Sequence, residues 1–357
     1  MDPRIKKVAE ILVDYSTSVK KGEYVQILTD PAARELAVEV YKQVILKGAY
    51  PKIHISFPGT SYLYYKHASE EQLAHFPDVA MDELKKTRAF IYIGAPENSR
   101  ELTNIDPKRI SLRQKTMQPY QAYRVKNTKW VIFYYPTPSM AQDAGMSTEE
   151  FEDFVYKASI QDWKAESRRQ EKLKAVIDKG KAVRIVGKDT DITFSIEGRK
   201  GLKCDGKYNM PDGEVFTGPV EDSTNGRIAF SFPSIYAGQE VDGIKLEFKD
   251  GKVVKASATK NEALLQQLLK TDDGSMILGE FGIGVNNFIQ KHVKNILFDE
   301  KIGGTIHLAL GSGYPESGSK NNSGIHWDIV KDLRPGGAVY VDGKIIQKDG
   351  KFIGLGL

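Results

Sequence analysis

Apolar residues recur every three or four positions in the N-terminal stretch of the chain. Between residues 3 and 19 they form a single stripe, made of Ile5, Val8, Ile11, Leu12 and Tyr15. This spacing places all of these side chains on one face of an α-helix. The pattern therefore predicts an N-terminal helix that packs one face against a core.

Short apolar runs alternate with further helical segments in the rest of the first half. Strands are predicted at residues 23–28, 51–57, 87–95 and 129–136. A helix between Pro31 and Gly48 and another near residues 69–76 separate some of these strands. Helices placed between strands are typical of a mainly parallel sheet with helices on its faces. The first half is therefore predicted to be an α/β domain.

Residues 139–180 have the pattern of a long helical stretch. A helix start is predicted inside it, where Ser147 or Thr148 would cap an acidic first turn. Helical character ends at Gly180, after which the pattern of the chain changes.

The second half is rich in hairpin signals. Residues 244–258 and 338–353 contain alternating β-formers around Asp-Gly pairs, which are the preferred residues of tight hairpin turns. One helix is predicted at residues 261–271. We therefore expect an α+β, antiparallel-rich domain. The predicted division is an N-terminal α/β domain of residues 1–179 and a C-terminal domain of residues 180–357. The Asp-Gly pairs of this half begin at Asp205, Asp212, Asp242, Asp250, Asp273, Asp342 and Asp349.

Charge and composition exclude several classes of protein. The chain carries 51 Lys and Arg against 47 Asp and Glu, so its formal net charge is only +4. The densest basic segment, residues 163–181, contains acidic and apolar residues at helical spacing, which predicts a solvated helix face rather than a nucleic-acid surface. No apolar run approaches the roughly 20 residues of a membrane span, and no signal peptide is evident. We expect a cytoplasmic protein.

The cysteine and histidine content limits which disulfides and metal sites the chain can form. Cys204 is the single cysteine, which excludes an internal disulfide and a zinc site built from several cysteines. Of the six histidines, His54, His67 and His75 have no acidic or histidine partner at ligand spacing, and we interpret them as structural.

Two potential metal ligands lie close together near the C-terminus. His326 and Asp328 flank Trp327 in an apolar run. If this run is a strand, residues two apart share a face, so the imidazole and the carboxylate would point the same way. The pair is either a two-ligand clamp or a polar pair on the solvent face of a strand.

Further candidates precede this pair. His307 alternates with apolar residues, as either a hydrogen-bonded sheet histidine or a ligand, and Tyr314 follows it in a Gly-Ser loop. Glu214 and Glu280 lie among apolar and glycine residues. A carboxylate buried in such surroundings is costly unless it is paired or binds a metal.

The number of candidate ligands favours two metal ions over one. A catalytic zinc usually takes three protein ligands and a water, whereas five are present here. The charges of Glu214, Glu280 and Asp328 would balance two divalent cations and one bridging hydroxide. A two-metal site can lower the pKa of water and polarise a carbonyl group.

Several segments together resemble the thermophilic-type metallo-aminopeptidases, the group that includes aminopeptidases T and S. The resemblance covers essentially the whole chain and is strongest from Glu214 onward. It implies removal of N-terminal residues from peptides by a dinuclear centre of divalent metal ions, with zinc, cobalt or manganese as the candidates. It also implies a homodimer. The segments that carry the resemblance are residues 136–158, 210–230, 278–286, 297–316 and 321–337.

The resemblance also implies a role for each matching residue. The tyrosine that stands beside the centre in this family matches Tyr314, for which we expect a hydrogen bond to the developing oxyanion. The general base is unassigned, with Glu300 and Glu316 as candidates. The alternatives are another two-metal amide hydrolase, such as a deacylase, and a non-catalytic α/β binding module. The family's metal ligands match Glu214, Glu280, His307, His326 and Asp328.

Overall fold

The computed structural model describes residues 2–236 and 238–356. The chain forms two compact units. The first comprises the described residues up to Gln161 together with Gly206–Pro211, and the second comprises Asp162–Asp205 and the described residues from Asp212 onward. The domain boundary predicted between residues 179 and 180 stays a prediction.

The first unit contains a five-stranded parallel sheet. The parallel sheet and its helices confirm the α/β character predicted for this half. Its last strand is distant in sequence from the other four and comes from the Gly206–Pro211 segment. In spatial order the strands are Tyr50–Ile55, Tyr24–Thr29, Ala89–Gly94, Lys129–Tyr134 and Asn209–Met210.

Some helices of this unit were predicted and others were not. The N-terminal helix is present as an α-helix that continues as a π-helix, and the helix at Pro31 begins with a short 3-10 turn. The longest helix, Pro107–Asn127, was not predicted, because it contains Pro119 and none of its residues is buried. The helices before residue 130 are Pro3–Glu10, Ile11–Ser16, Pro31–Ala33, Arg34–Leu46, Thr60–His67, Glu70–Ala74, Asp78–Lys86 and Pro107–Asn127.

The predicted long helical stretch is three separate helices, Pro138–Ala144, Thr148–Ser159 and Trp163–Lys179. Gly145 ends the first in a left-handed conformation with φ of 61°. Ser147 caps the second through a capping box, in which its side chain accepts a hydrogen bond from the backbone N–H of Glu150. The predicted start at this position is therefore a real helix start.

The second unit contains an eight-stranded antiparallel sheet, which confirms the antiparallel character predicted for this half. At the predicted hairpin turn, Asp250 and Gly251 have φ of 49° and 84°, the positive values that favour Asp-Gly. In spatial order the strands are Lys252–Ser257, Lys245–Lys249, Asn225–Ala229, Thr190–Ser195, Ala182–Gly187, Ala338–Val341, Lys344–Lys348 and Lys351–Phe352.

A second antiparallel sheet of five strands carries the candidate site. The rings of Phe194 and Phe281, one from each sheet, meet edge to face at 5.1 Å between centroids, within a shared apolar core. In spatial order the strands are His326–Asp332, Thr305–Gly311, Leu278–Gly284, Glu214–Thr217 and Leu202–Cys204.

Smaller elements complete the second unit. A two-stranded hairpin pairs Ser234–Tyr236 with Gln239–Val241. Short helices cover Glu262–Leu268 and Ile296–Asp299, with a 3-10 turn at Pro315–Ser317. Among the helices that the structure describes, none has the length and apolar character needed to cross a membrane.

Candidate metal centre

His307 lies at the centre of the candidate site, in the strand Thr305–Gly311. Its side chain is fully buried. Gly282 is its partner on the neighbouring strand, and a β-carbon at Gly282 would overlap the imidazole ring. The absence of a side chain at Gly282 therefore provides the space that the imidazole occupies.

Three carboxylates surround the Nε2 atom of His307. Glu280 Oε1 lies 3.0 Å away, Glu214 Oε2 lies 3.5 Å away, and Asp328 Oδ1 lies 4.0 Å away. Each comes from a different strand of the sheet, so residues distant in sequence meet on one face. The structure therefore brings three of the five predicted ligands around one atom of a fourth.

His326 and Asp328 lie in the predicted strand and contact each other, with 3.1 Å between His326 Nε2 and Asp328 Oδ2. The other ring nitrogen of His326 is 2.7 Å from the backbone oxygen of Ser312, which fixes the orientation of the ring. Tyr314 packs beside this pair, its ring centroid 5.5 Å from that of His326 and 5.3 Å from that of Phe216. All six predicted site residues are thus linked by direct contacts.

Every one of the five candidate ligands faces a residue with a small side chain on an adjacent strand. Ala309 lies between two of them, paired with Glu280 on one side and Asp328 on the other. The remaining pairs are Gly282 with His307, Gly284 with Glu214, and Gly311 with His326. The small residues leave room on this face for the polar side chains and for the ions that they could hold.

Several buried atoms of the site lack a hydrogen-bond partner among the residues described. They are Glu214 Oε2, Glu280 Oε2 and Asp328 Oδ1, together with His307 Nδ1. An unsatisfied buried carboxylate oxygen is strongly unfavourable, and a bound cation would satisfy it. Imidazole nitrogens and carboxylate oxygens suit zinc, manganese and cobalt. The residues present therefore fit divalent metal ions.

The carboxylates of the site have opposite pKa shifts. Burial raises the pKa of Glu214 to about 8, although the nearby Lys301 ammonium favours its ionised form. Burial also raises the pKa of Glu280. Burial alone would raise the pKa of Asp328 too, but the adjacent His326 lowers it to about 2. Asp328 is therefore the carboxylate most readily ionised before any metal binds.

The two imidazoles hold protons strongly in this arrangement. Burial opposes the charged form of His307, but its hydrogen bond to Glu280 and the other carboxylates raise its pKa to about 10. For His326 the charge of Asp328 likewise overcomes burial and raises the pKa to about 10. Metal binding must therefore displace protons from these residues.

A buried lysine beside the site was not predicted from the sequence. The side chain of Lys301 is fully buried, with Nζ 3.7 Å from Glu214 Oε1, 4.0 Å from Asp212 Oδ1, and in contact with Glu300. A lysine is almost never fully buried unless it is paired. The Asp-Gly pair that begins at Asp212 gave only a turn signal, and the apolar pattern of the chain does not reveal this charge cluster.

Three groups of side chains in the described part of the chain have donor atoms within 4.8 Å of one another, close enough to hold a metal ion. His307 belongs to two of them, one with Glu280 and Asp328 and the other with Glu214 and Glu300. The third group joins Glu214 to Asp212 and Cys204.

The structure separates the two candidates for the general base. Glu300 lies within one of the donor groups and contacts Lys301. Glu316 lies exposed in the 3-10 turn Pro315–Ser317. It belongs to none of the donor groups found among the described residues.

A protein-family model and individual relatives both match nearly the whole chain. The model of a family described as thermophilic metalloprotease (M29) matches residues 1–352. Aminopeptidase 2 of Geobacillus stearothermophilus is 29% identical over 405 residues, covering 98% of this chain and 95% of that protein. Aminopeptidase AmpS of Bacillus subtilis (strain 168) is 25% identical over 393 residues, covering 99% of this chain and 94% of that protein.

Solved structures share the fold over nearly the full length. Wild-type AmpT from Thermus thermophilus superposes with a TM-score of 0.86 at 22% identity, covering 98% of this chain and 99% of that chain. A 2,5-dihydroxypyridine dioxygenase from Pseudomonas putida KT2440 gives a TM-score of 0.65 at 13% identity, covering 98% and 97%. Since the second protein is described as an oxygenase, the fold alone does not determine the reaction.

Proposed function

Because this chain belongs to the thermophilic metalloprotease family, whose members are peptide hydrolases, we propose that it is an aminopeptidase that works with two divalent metal ions. The observation that supports this most is the set of carboxylates around His307. Buried oxygens of Glu214, Glu280 and Asp328 lack hydrogen-bond partners among the described residues and lie beside one imidazole. Such a set is costly to bury without a cation.

We assign as metal ligands the five residues that the sequence singled out. Five protein ligands are more than one catalytic ion usually takes, which supports two neighbouring ions rather than one. Zinc, cobalt and manganese all accept this mixture of nitrogen and oxygen donors. The proposed ligands are Glu214, Glu280, His307, His326 and Asp328.

Two ions held there would lower the pKa of a water molecule and polarise the scissile carbonyl group. Glu300 would accept the proton of the attacking water, because this carboxylate shares a donor group with both Glu214 and His307 and is not itself assigned as a ligand. The phenol of Tyr314, next to His326, donates a hydrogen bond to the carbonyl oxygen as negative charge develops on it.

Lys301 maintains the charge balance behind the ligands. Its buried ammonium compensates Glu214, Asp212 and Glu300, all of which it contacts at 4.0 Å or less. We propose that its ammonium favours the ionised form of Glu214, against the effect of burial on the pKa of that carboxyl, and that it does not contact the substrate itself.

A substrate panel tests the proposed function. The purified protein, loaded in turn with zinc, cobalt or manganese, is given matched peptides with a free or an acetylated N-terminus. An aminopeptidase cleaves only the free peptides, one residue at a time. Preference for acylated amines would instead support the deacylase alternative, and no hydrolysis with any metal would support a binding module.

The remaining expectations from the sequence stay predictions. They are the homodimer, the cytoplasmic location and the assignment of residues 180–357 as the catalytic domain. Every proposed site residue lies in the second unit, which supports the last of these.

A further inference from the structure

A cavity of about 230 Å³ lies directly beside the proposed ligands. Asp328 lines it, and so does Val330, which projects from the same face of the same strand. All of the lining residues belong to the second unit. A group held in this cavity would therefore lie next to the reacting centre.

Four of the ten residues that line the cavity are apolar, and they come from different elements. Ile235 lies in the strand Ser234–Tyr236 of the hairpin, and Pro233 directly precedes that strand. Ile296 is the first residue of the short helix Ile296–Asp299. Ser234 fixes the hairpin to the metal-site strand. Its hydroxyl donates to the backbone oxygen of Asp328 at 3.0 Å and accepts from Trp327 Nε1 at 2.7 Å.

The polar residues of the cavity pair with one another. His292 Nε2 lies 3.2 Å from Asp299 Oδ2, and the His292 ring stacks on Phe232 at 4.8 Å between centroids. Lys294 is paired with Glu240 at 2.7 Å. The cavity therefore presents no uncompensated charge from these groups to a bound side chain.

Burial favours the neutral forms of the inner pair. It lowers the pKa of His292 to about 4 and raises the pKa of Asp299 to about 8. Both groups are therefore mainly uncharged near pH 7. A charged guest would lose its hydration here, and neither His292 nor Asp299 would offer it an opposite charge.

We propose that this cavity receives the side chain of the substrate's N-terminal residue and selects uncharged, mainly apolar side chains between leucine and phenylalanine in size. This inference rests on the proposed aminopeptidase function. The volume supports it, since an apolar cavity of about 150 Å³ already holds benzene. The position beside Asp328 supports it too, because the side chain of the N-terminal residue is attached to the α-carbon next to the scissile carbonyl.

Filling the cavity tests the proposal. The wild-type enzyme is expected to have a kcat/KM at least about tenfold higher for leucyl than for alanyl, lysyl or glutamyl p-nitroanilide. Ile235→Trp places an indole in the cavity and is expected to reduce the leucyl-to-alanyl ratio by about tenfold. Gln239→Trp is the matched control, because Gln239 is exposed on the paired strand of the same hairpin and does not line the cavity. It is expected to leave the ratio unchanged.

A second variant and a binding measurement distinguish a filled cavity from a folding defect. Ile296→Trp fills the cavity from the other wall at a side chain that is already 44% exposed. Calorimetric binding of leucinol, which has no bond to cleave, is expected to weaken about tenfold in both cavity variants and to stay unchanged in Gln239→Trp.

Two results distinguish this inference from the proposed function. A leucyl-to-alanyl ratio that stays unchanged in both active, metal-loaded cavity variants would overturn the cavity assignment alone. If the metal-loaded wild-type enzyme cleaved no substrate with a free N-terminus, the proposed function and the cavity assignment would both be overturned.

Discussion

Gly282 lies directly opposite His307 in the antiparallel ladder, and its lack of a side chain leaves the space that the imidazole ring occupies. A β-carbon at Gly282 would overlap that ring, so the geometry of the site depends on a residue that contributes no donor atom. The same relationship extends over the site, because each proposed ligand faces a glycine or an alanine on a neighbouring strand. The small residues are as much a part of this arrangement as the ligands.

The first prediction concerns this pair. Gly282→Ala is expected to displace His307, to lower the metal content well below that of the wild type, and to destabilise the fold by about 1–3 kcal/mol through overpacking. Metal analysis and denaturant unfolding measure the two effects. Gly187→Ala is the control, because a β-carbon there meets nothing closer than 3.7 Å. Full metal content in Gly282→Ala would show that the ring does not need this space.

The second prediction concerns a single ligand. His326→Ala is expected to reduce activity at least about a hundredfold, since even loss of an outer partner of a metal ligand costs about 10–100-fold. The strand framework does not depend on this partly exposed imidazole, so circular dichroism is expected to match that of the wild type. Near-normal metal binding and turnover in the folded variant would remove His326 from the ligand set.

The third prediction concerns the general base. Glu300→Gln is expected to lower kcat by about 10²–10⁴-fold, the range of general acid–base catalysis, while both metals stay bound. Glu316→Gln is the matched control and is expected to change kcat less than about twofold, because Glu316 is exposed and outside the donor groups. Equal effects of the two substitutions on kcat would contradict the assignment.

The fourth prediction concerns the buried charge of Lys301. Lys301→Met leaves nearby carboxylates without a counter-charge. It is expected to destabilise the metal-free protein, prepared with a chelator, by about 3–5 kcal/mol. Lys260→Met removes an exposed ion pair with Glu240 and is expected to cost at most about 1 kcal/mol. Urea unfolding of both variants gives the comparison. Equal losses of stability would mean that the Lys301 cluster contributes no more than a surface pair.

The fifth prediction is the pH dependence of stability without metal. The folded-state pKa values of Glu214, His307 and His326 are raised, to about 8, about 10 and about 10, above their ordinary values of 4.5, 6.5 and 6.5. The folded protein therefore binds more protons than the unfolded chain between roughly pH 4.5 and 10, and its stability falls as pH rises through this window.

Metal binding is expected to reverse this trend, because the ligands must lose protons to bind the ions. Stabilisation by added metal should thus grow from pH 6 to pH 8, and activity should rise with it. Thermal unfolding at several pH values, with and without manganese, measures the difference. A metal-induced shift in Tm that stayed constant across this range would contradict the proton displacement.

The sequence singled out residues of the candidate site but not the residues packed around them. His326 and Asp328 could be placed on one face because strand periodicity fixes side-chain direction over two residues. The pairing of Gly282 with His307 could not be predicted, since register between distant strands follows from packing that periodicity does not encode. The ion pairs of Lys301 could not be predicted for the same reason, because its partners Asp212 and Glu214 lie far from it in sequence.

We propose that two metal ions at these residues make the protein an aminopeptidase. The most direct measurement titrates the metal-stripped protein with cobalt or zinc while recording hydrolysis of a leucyl peptide and its N-acetylated counterpart. We expect no activity at the start, cleavage of only the free peptide, and a maximum rate when about two ions per chain are bound. Cleavage of the free peptide by fully stripped protein, or equal cleavage of the acetylated peptide, would contradict it.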